Sequence, residues 1–298
     1  MPAVQANGLT FEYEILGNPA DPPLLLIMGL GMQLVAWPDG FCERLVARGF
    51  CVIRFDNRDI GLSSSLDHLG VPNIAWEYVK FQMHMPMRAP YVIDDMATDT
   101  AALLDALGVE SAHVIGASMG GMIAQNLAAK YPQKVRTLTS IMSSTGNRRL
   151  PKPTLAAMSA ILTAPASRGD IESGIQRMFK VFRAIGGRIQ DGDADLRALC
   201  ERHVRRSIHE AGKVRHLLAV AASGNRTPVI QQIRVPTLVL HGSDDPLLPV
   251  GHGEETARII PGAKLVVIDG MGHDLPIAFH ERLTGEIAAH CLGQTAPN

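Results

Sequence analysis

The stretch His113–Lys130, HVIGASMGGMIAQNLAAK, constrains the fold of this chain more than any other. Its first half is an apolar run that favours a short buried strand. Its second half is an alanine-rich helical pattern that ends before Pro132, because proline cannot continue a helix. Between the two halves, residues 116–120 spell G-x-S-x-G. The pattern predicts that Ser118 lies at a sharp, strained strand-to-helix turn with its side chain above the sheet, although a glycine-rich packing turn is the alternative.

Backbone N–H groups near this serine are available to a developing oxyanion. The predicted helix points its N-terminus at Ser118, so the N–H of Met119 is one donor. A second glycine-rich loop, Met28-Gly29-Leu30-Gly31, follows the apolar run Leu24–Met28, which suits a strand buried on both faces. Since α/β sheets bind ligands at the carboxyl ends of their strands, we interpret the N–H of Leu30 as the second donor. The alternative is that this loop is only a tight turn.

Composition and charge exclude several classes of function. With 298 residues, 46% of them hydrophobic, the chain is long enough for one large domain or for a domain with an insertion. A formal net charge of −1 indicates a small-molecule partner and no nucleic-acid or membrane partner. The first residues lack a leader pattern and no apolar run is long enough to span a bilayer, so we expect a cytoplasmic location. The four scattered cysteines are expected to be buried free thiols, and no spacing indicates a metal or a cofactor.

Strand and helix patterns alternate along most of the chain, which predicts a mostly parallel sheet flanked by helices. A turn dipeptide at Asn7-Gly8 predicts an edge hairpin over Val4–Glu14. The other predicted elements are helices over Trp37–Arg48 and Asp94–Leu107 and strands over Cys51–Phe55, Val135–Met142, Thr237–Leu240 and Leu265–Ile268.

The alternation of strands and helices stops between the predicted strands Val135–Met142 and Thr237–Leu240. In that segment Pro151, Pro153 and Pro165 separate helical stretches. The clearest predicted helix is Leu196–Glu210, with apolar residues on one face and arginines on a face that we expect to be solvated. We predict that residues 146–231 form a helical cap over the carboxyl ends of the strands. Residues 1–145 and 232–298 would then form the core, and the cap would shape a pocket and exclude water from it.

Two further stretches have no assigned chemical role. We interpret Asp56 and Arg58 as structural, because charged residues and a glycine after a buried strand favour a loop with internal hydrogen bonds. The segment Leu66–Tyr91 is rich in aromatic and methionine side chains. It either packs against the body of the protein or borders the entrance for a substrate.

Polar residues follow three of the predicted strands. A serine hydroxyl is a poor nucleophile at neutral pH, so it requires a base and an anion that orients the base. Ser118, Asp245 and His273 supply these groups in the chain order Ser, Asp, His, and the carboxyl ends of parallel strands meet at one edge of a sheet. Among eleven histidines, His273 best fits a late loop that follows a strand. Asp244 is the alternative to Asp245.

These motifs together resemble those of α/β-hydrolase-fold serine hydrolases of the esterase type. The matching residues are the Met28–Gly31 loop, the Asp56–Ser63 loop, the Gly116–Gly120 elbow, Gly242–Asp245 and Gly272-His273. Within that fold the chain is similar to bacterial carboxylesterases and, more loosely, to the methylesterases that act on anthracycline antibiotics. The resemblance implies an α/β-hydrolase fold with a mostly parallel eight-stranded sheet, an inserted cap, and a catalytic triad of Ser118, Asp245 and His273.

The implied activity is cleavage of a carboxylic ester through an acyl-enzyme intermediate, without a cofactor or metal. We expect an uncharged, fairly apolar small-molecule ester as substrate. The same triad would also serve cofactor-free haloperoxidation or perhydrolysis, thioester cleavage or carbon–carbon bond hydrolysis, and a small-molecule receptor is the alternative outside enzymes. Two positions depart from the family pattern. Met28 stands where a histidine is usual before the oxyanion donor, and Asp59 replaces the first glycine of the Asp56–Ser63 loop.

Overall fold

The computed structural model describes residues 2–83, 85–162 and 170–293, and within these ranges eight strands form one sheet. Its order is β1-β2-β4-β3-β5-β6-β7-β8, with β1 and β2 antiparallel to their neighbours and all other pairs parallel. The strands are β1 Ala3–Ala6, β2 Leu9–Leu16, β3 Pro23–Ile27, β4 Cys51–Phe55, β5 Ala112–Ala117, β6 Val135–Ile141, β7 Thr237–Gly242 and β8 Lys264–Ile268. The predicted hairpin and the mostly parallel eight-stranded sheet are confirmed.

The central strand β3 is apolar throughout because both faces of the sheet are covered there. Along β3, Leu25 and Ile27 enter the hydrophobic core on one face, whereas Leu24 and Leu26 enter the core on the other. Successive side chains of a strand point to opposite faces, so only a continuous apolar run fills both cores.

Helices of the core flank the two faces. They are α1 Asp39–Ala47, α3 Ile93–Ala106, α4 Met119–Lys130, α10 Gly251–Ile259 and α11 His280–Cys291, and helix α2, Ile74–Gln82, precedes α3 in the chain. Helices α3 and α4 contribute apolar side chains to the core that contains Leu25, and α1 and α11 contribute to the core that contains Leu24. All four cysteines are free, and Cys42, Cys51 and Cys200 are buried, while Cys291 is half-buried.

The segment between β6 and β7 contains five helices in its described part, and residues 163–169, which include Pro165, lie outside the described residues. Its helices are α5 Leu155–Leu162, α6 Ile171–Ile185, α7 Asp193–Arg206, α8 Glu210–Ser223 and α9 Thr227–Ile230. The prediction of one helix over Leu196–Glu210 is wrong. Helix α7 ends at Arg206, Ser207 is extended with φ −168° and ψ 144°, and Ile208 lies outside both helices. The assignment of residues 146–231 to a cap stays a prediction.

The arginines of α7 do not all face solvent, which corrects a second expectation. Arg206 donates to Asp56 Oδ2 at 2.6 Å, and its side chain is only 12% exposed. Arg202 donates to the Val35 carbonyl at 2.9 Å and pairs with Asp39. Asp56 is fully buried, and a buried carboxylate requires a cation. Arg202 and Arg206 therefore form ion pairs that link α7 to the part of the chain before β5.

Asp56 and Arg58 have the structural contacts expected of them. Asp56 accepts hydrogen bonds from the backbone N–H groups of Leu34 at 2.7 Å and Leu62 at 2.9 Å, and Arg58 binds the carboxylate of Asp99 in a bidentate pair. No helix in the described part of the chain is both long and apolar enough to cross a membrane.

Candidate active site

The turn at Ser118 has the strained geometry predicted for it. Ser118 lies between β5 and α4 with φ 55° and ψ −119°, a backbone conformation that L-residues rarely adopt. The flanking glycines are sterically required: a Cβ on Gly116 would lie 2.1 Å from the Gly120 carbonyl oxygen, and one on Gly120 would lie 2.0 Å from the Ile27 carbonyl oxygen. The predicted sharp turn is confirmed, and the close approach of α4 to β5 at Gly116 and to β3 at Gly120 explains why the sequence has glycine on both sides.

The structure brings Ser118, His273 and Asp245 together at the carboxyl edge of the sheet. His273 Nε2 lies 2.9 Å from Ser118 Oγ, and His273 Nδ1 lies 2.7 Å from Asp245 Oδ2. Because a carboxylate only accepts hydrogen bonds, we assign the proton to Nδ1, which leaves Nε2 to accept the Ser118 hydroxyl. The geometry is that of a serine paired with an oriented base.

The environment of Asp245 keeps it ionised. Burial by itself raises the pKa of a carboxyl, but the electrostatic interaction with His273 and hydrogen bonds from His241 and His273 outweigh burial and hold the pKa of Asp245 well below its usual range. Its other oxygen, Oδ1, accepts the backbone N–H groups of Leu247 at 2.9 Å and Leu248 at 2.8 Å. These bonds orient Oδ2 towards His273.

Asp244, the alternative acid, points elsewhere. Its Oδ1 accepts a hydrogen bond from Ser243 Oγ at 2.7 Å, and Arg188 lies 3.4 Å from the same carboxylate. The side chain of Asp244 is 25% exposed, whereas that of Asp245 is fully buried. Asp244 therefore anchors the surface of the loop, and its carboxylate forms no hydrogen bond or ion pair with His273.

Both predicted oxyanion donors lie beside Ser118. Met119 is the first residue of α4, so its N–H has no acceptor within the helix. Gly29 packs so closely that a Cβ there would lie 3.2 Å from Ser118 Cβ, which places the following residue, Leu30, next to the serine. Asn57 Nδ2 donates to the Met28 carbonyl at 2.9 Å and braces the loop where the family's usual histidine is absent. Sequence analysis missed Asn57 because nothing in its local pattern predicts a contact with residue 28.

A cavity of about 690 Å³ opens above Ser118, between the sheet edge and helices α5–α8. Its wall is mainly apolar and rich in methionine: Met28, Met32, Met119, Met122, Met142, Met158 and Met178. None of the described aromatic or methionine side chains of Leu66–Tyr91 lines it, and Trp76 and Tyr78 are 56% and 59% exposed. Asp67 is the one described residue of that segment that lines the cavity, so the segment reaches it through a charged residue and not through its aromatic or methionine side chains.

One acidic residue of the cavity wall is unusual. Asp274, next to His273, has an Oδ1 that is buried and has no hydrogen-bond partner among the described residues. Burial, together with the nearby charges of Asp191 and Asp245, raises the pKa of Asp274 to about 7. The native fold thus disfavours the ionised carboxylate.

Replacing Asp274 by asparagine is therefore expected to stabilise the protein in a pH-dependent way. The pKa of Asp274 is higher in the folded than in the unfolded chain, so its ionisation lowers the free energy of unfolding. This loss of stability is complete above about pH 7, declines as the pH falls, and vanishes below the ordinary carboxyl pKa near 4. We expect Asp274→Asn to raise Tm by roughly 2–4 °C at pH 8 and by less at pH 5. Thermal unfolding at both pH values measures the difference. Glu43→Gln, which neutralises an exposed carboxyl, is the control, and an equal gain for Asp274→Asn at both pH values would contradict the assignment.

One group of side chains in the described residues, Asp59, Asp67 and His209, lies close enough together to hold a metal ion. Arg215 already binds both carboxylates, at 2.7 and 2.8 Å from Asp59 and at 2.8 Å from Asp67. We interpret the group as an ion-pair network that joins α8 to the core.

Comparison with known proteins gives one matching family model, similar sequences and solved structures with the same fold. A family model described as alpha/beta hydrolase fold matches residues 22–171 and 211–278. The rhodomycin D methylesterase DnrP of Streptomyces peucetius is 33% identical, over 96% of each chain. A poly(3-hydroxyalkanoate) depolymerase of Ectopseudomonas oleovorans is 30% identical, over 86% of this chain and 80% of that protein. The crystal structure of an enol-lactonase from Burkholderia xenovorans LB400 superimposes with a TM-score of 0.71 at 22% identity, covers 98% of this chain and 100% of its own, and shows the same fold.

Proposed function

The chain belongs to the α/β-hydrolase family, and we propose that it hydrolyses a carboxylic ester with Ser118, His273 and Asp245 as its catalytic triad. The observation that carries this proposal is the continuous hydrogen-bond chain from Ser118 Oγ through His273 to Asp245, with distances of 2.9 and 2.7 Å. The similarity to a methylesterase over 96% of the chain supports the same class of reaction.

The chemistry divides into two steps at the serine. Ser118 Oγ attacks the carbonyl carbon of the ester while His273 Nε2 takes its proton, and the resulting tetrahedral intermediate expels the alcohol, to which His273 returns the proton. Water then attacks the acyl-enzyme, again with His273 as base, and the acid leaves as Ser118 regains its proton. Asp245 holds the imidazole in the correct tautomer and stabilises its charged form. Neither step requires a cofactor or a metal.

The N–H groups of Leu30 and Met119 are proposed to bind the oxyanion of each tetrahedral intermediate. The next amide in the loop, Gly31, already donates to His216 at 3.2 Å, which supports Leu30 as the donor from this loop. One such donor typically contributes about 2.7–4 kcal/mol to transition-state stabilisation.

The cavity supports an ester with an apolar body of substantial size. Its volume of about 690 Å³ lies within the range of roughly 300–1,000 Å³ that is typical of small-molecule sites. Helices α5–α8 form much of its wall, so we also propose that residues 146–231 act as a cap that shapes the pocket and excludes water.

This apolar wall leads to an expected chain-length profile. Each buried CH₂ group contributes about 0.8 kcal/mol, so kcat/KM for p-nitrophenyl esters should rise from the acetate to the hexanoate or octanoate, by at least about tenfold in total. Steady-state assays from acetate to decanoate measure the profile. A profile that falls from acetate onwards would contradict a large apolar acyl site.

The nucleophile is tested directly with a fluorophosphonate, which reacts covalently with an activated serine. Intact mass should show one adduct per chain, and peptide mapping should locate it on Ser118. Ester turnover together with this adduct would support a serine esterase. An adduct without turnover of any ester would instead favour a receptor or a reaction of another class on the same triad, and an adduct on a different serine would overturn the assignment.

A further inference from the structure

A histidine of the cap helix α8 holds the loop that contains the proposed oxyanion donor. The backbone N–H of Gly31 donates to His216 Nδ1 at 3.2 Å, across 185 positions of the chain. Gly31 has φ +69°, and a Cβ there would lie 2.7 Å from Lys213 Cγ, so the loop lies directly beneath α8. His216 is fully buried and does not line the cavity, so it contacts neither the triad nor a substrate.

The protonation state of His216 follows from its second contact. Nε2 lies 2.8 Å from the carbonyl oxygen of Arg58, which only accepts, so Nε2 carries the proton and Nδ1 is an acceptor. Burial lowers the pKa of His216 to about 4, so the imidazole is neutral at physiological pH. A neutral ring with this tautomer has the one acceptor that the Gly31 N–H requires.

The ring is itself held in place by its neighbours. Tyr91 packs edge-on against it, with ring centroids 6.2 Å apart, and the Tyr91 hydroxyl donates to Asp59 Oδ2 at 2.8 Å. Asp59 is in turn bound by Arg215, which adjoins His216 in α8. These contacts fix the orientation of the imidazole relative to both the core and the cap.

We propose that His216 is a positioning residue for ester hydrolysis, which fixes the Leu30–Gly31 peptide so that the Leu30 N–H points at the oxyanion. On the other side of Leu30, Asn57 holds the Met28 carbonyl and Met32 N–H donates to the Gly29 carbonyl at 3.2 Å. With the chain anchored on both sides, little freedom remains at Leu30. This inference rests on the proposed function and assigns to the cap a part in the chemistry beyond covering the pocket.

The proposal predicts a selective effect on the transition state. Loss of the hydrogen bond between Gly31 and His216 allows the Leu30 N–H to move away from the oxyanion. Binding of the oxyanion is then weaker, but the apolar walls that bind the ground-state ester are unchanged. Removal of a whole donor costs roughly 10²–10³-fold in kcat, so a misplaced donor should cost about 10- to 100-fold. KM should change by less than about threefold.

The test compares three variants with the wild type on the best p-nitrophenyl ester. His216→Leu removes both hydrogen bonds of the ring, whereas His216→Asn keeps an acceptor at the position of Nδ1 and loses only the Nε2 donor. Tyr91→Phe is the matched control, because it loosens the same buried cluster without touching Gly31. We measure kcat, KM and Tm, and also the Ki of a trifluoromethyl ketone that adds to the serine as a tetrahedral hemiketal.

For His216→Leu we expect the fall in kcat and a matching rise in the Ki of the ketone. His216→Asn should recover most of the loss, and Tyr91→Phe should lower Tm while kcat stays within twofold. If the two His216 variants lose kcat equally, or if kcat follows Tm across all three variants, His216 is only structural and the inference is overturned. If His216→Leu does not fold, the comparison of His216→Asn with Tyr91→Phe decides in the same way. Failure of the proposed function is distinguishable, because it would appear as a lack of ester turnover in the wild type.

Discussion

Replacing Ser118 by alanine is expected to lower kcat for ester hydrolysis about 10⁶-fold and to abolish the fluorophosphonate adduct. Ser118 Oγ is the only protein atom of the proposed mechanism that bonds covalently to the substrate, so its loss removes the acyl-enzyme pathway altogether. The residual rate comes from water held near the proposed oxyanion donors. Substrate binding should persist, because the methyl group of alanine leaves the cavity wall unchanged.

The measurement is steady-state turnover of the best p-nitrophenyl ester, with intact-mass detection of the adduct. Ser111→Ala is the matched control, since Ser111 directly precedes β5 and lies at the opposite end of the strand that leads to Ser118. Ser111→Ala should retain wild-type turnover and the adduct. Turnover by Ser118→Ala within tenfold of the wild type would show that the proposed nucleophile is wrong.

Replacing Asp245 by asparagine is expected to lower kcat about 10⁴-fold. The carboxylate accepts the Nδ1–H of His273 at 2.7 Å, and an amide nitrogen in that position would favour the opposite tautomer, with the proton on Nε2. His273 would then be unable to accept the proton of Ser118. An asparagine oxygen still accepts the N–H groups of Leu247 and Leu248, so the loop should keep its conformation.

The neighbouring acid supplies the control for this variant. Asp244→Asn makes the same chemical change one residue earlier, where the carboxylate binds Ser243 and Arg188 at the surface. We expect kcat to remain within about twofold of the wild type and Tm to fall slightly. Equal losses of activity in both variants would show that the loop responds to any change of charge, and a larger loss for Asp244→Asn would reverse the assignment.

Several of the most informative features were predictable from local patterns. The strained turn at Ser118 follows from an apolar strand, two glycines and a helix pattern that lie next to each other in the chain. The edge hairpin follows from Asn7-Gly8, and the buried strand β3 from an apolar run. Two wrong expectations concern the predicted cap, where α7 ends before Ile208 and Arg206 turns inwards to Asp56. The periodicity of residues 196–210 suits one long helix, but contacts with the core override it.

The sequence by itself determined the mostly parallel sheet and the strained serine turn, and it selected a short set of candidate partners after the later strands. It could do so because periodicity, glycine geometry and strand ends are encoded within a few neighbouring residues. Only the tertiary structure decided that Asp245 and not Asp244 contacts His273, that Asn57 braces Met28, and that His216 binds Gly31. These contacts join residues up to 185 positions apart, and they form because a buried polar group must find a partner wherever the packed fold places one.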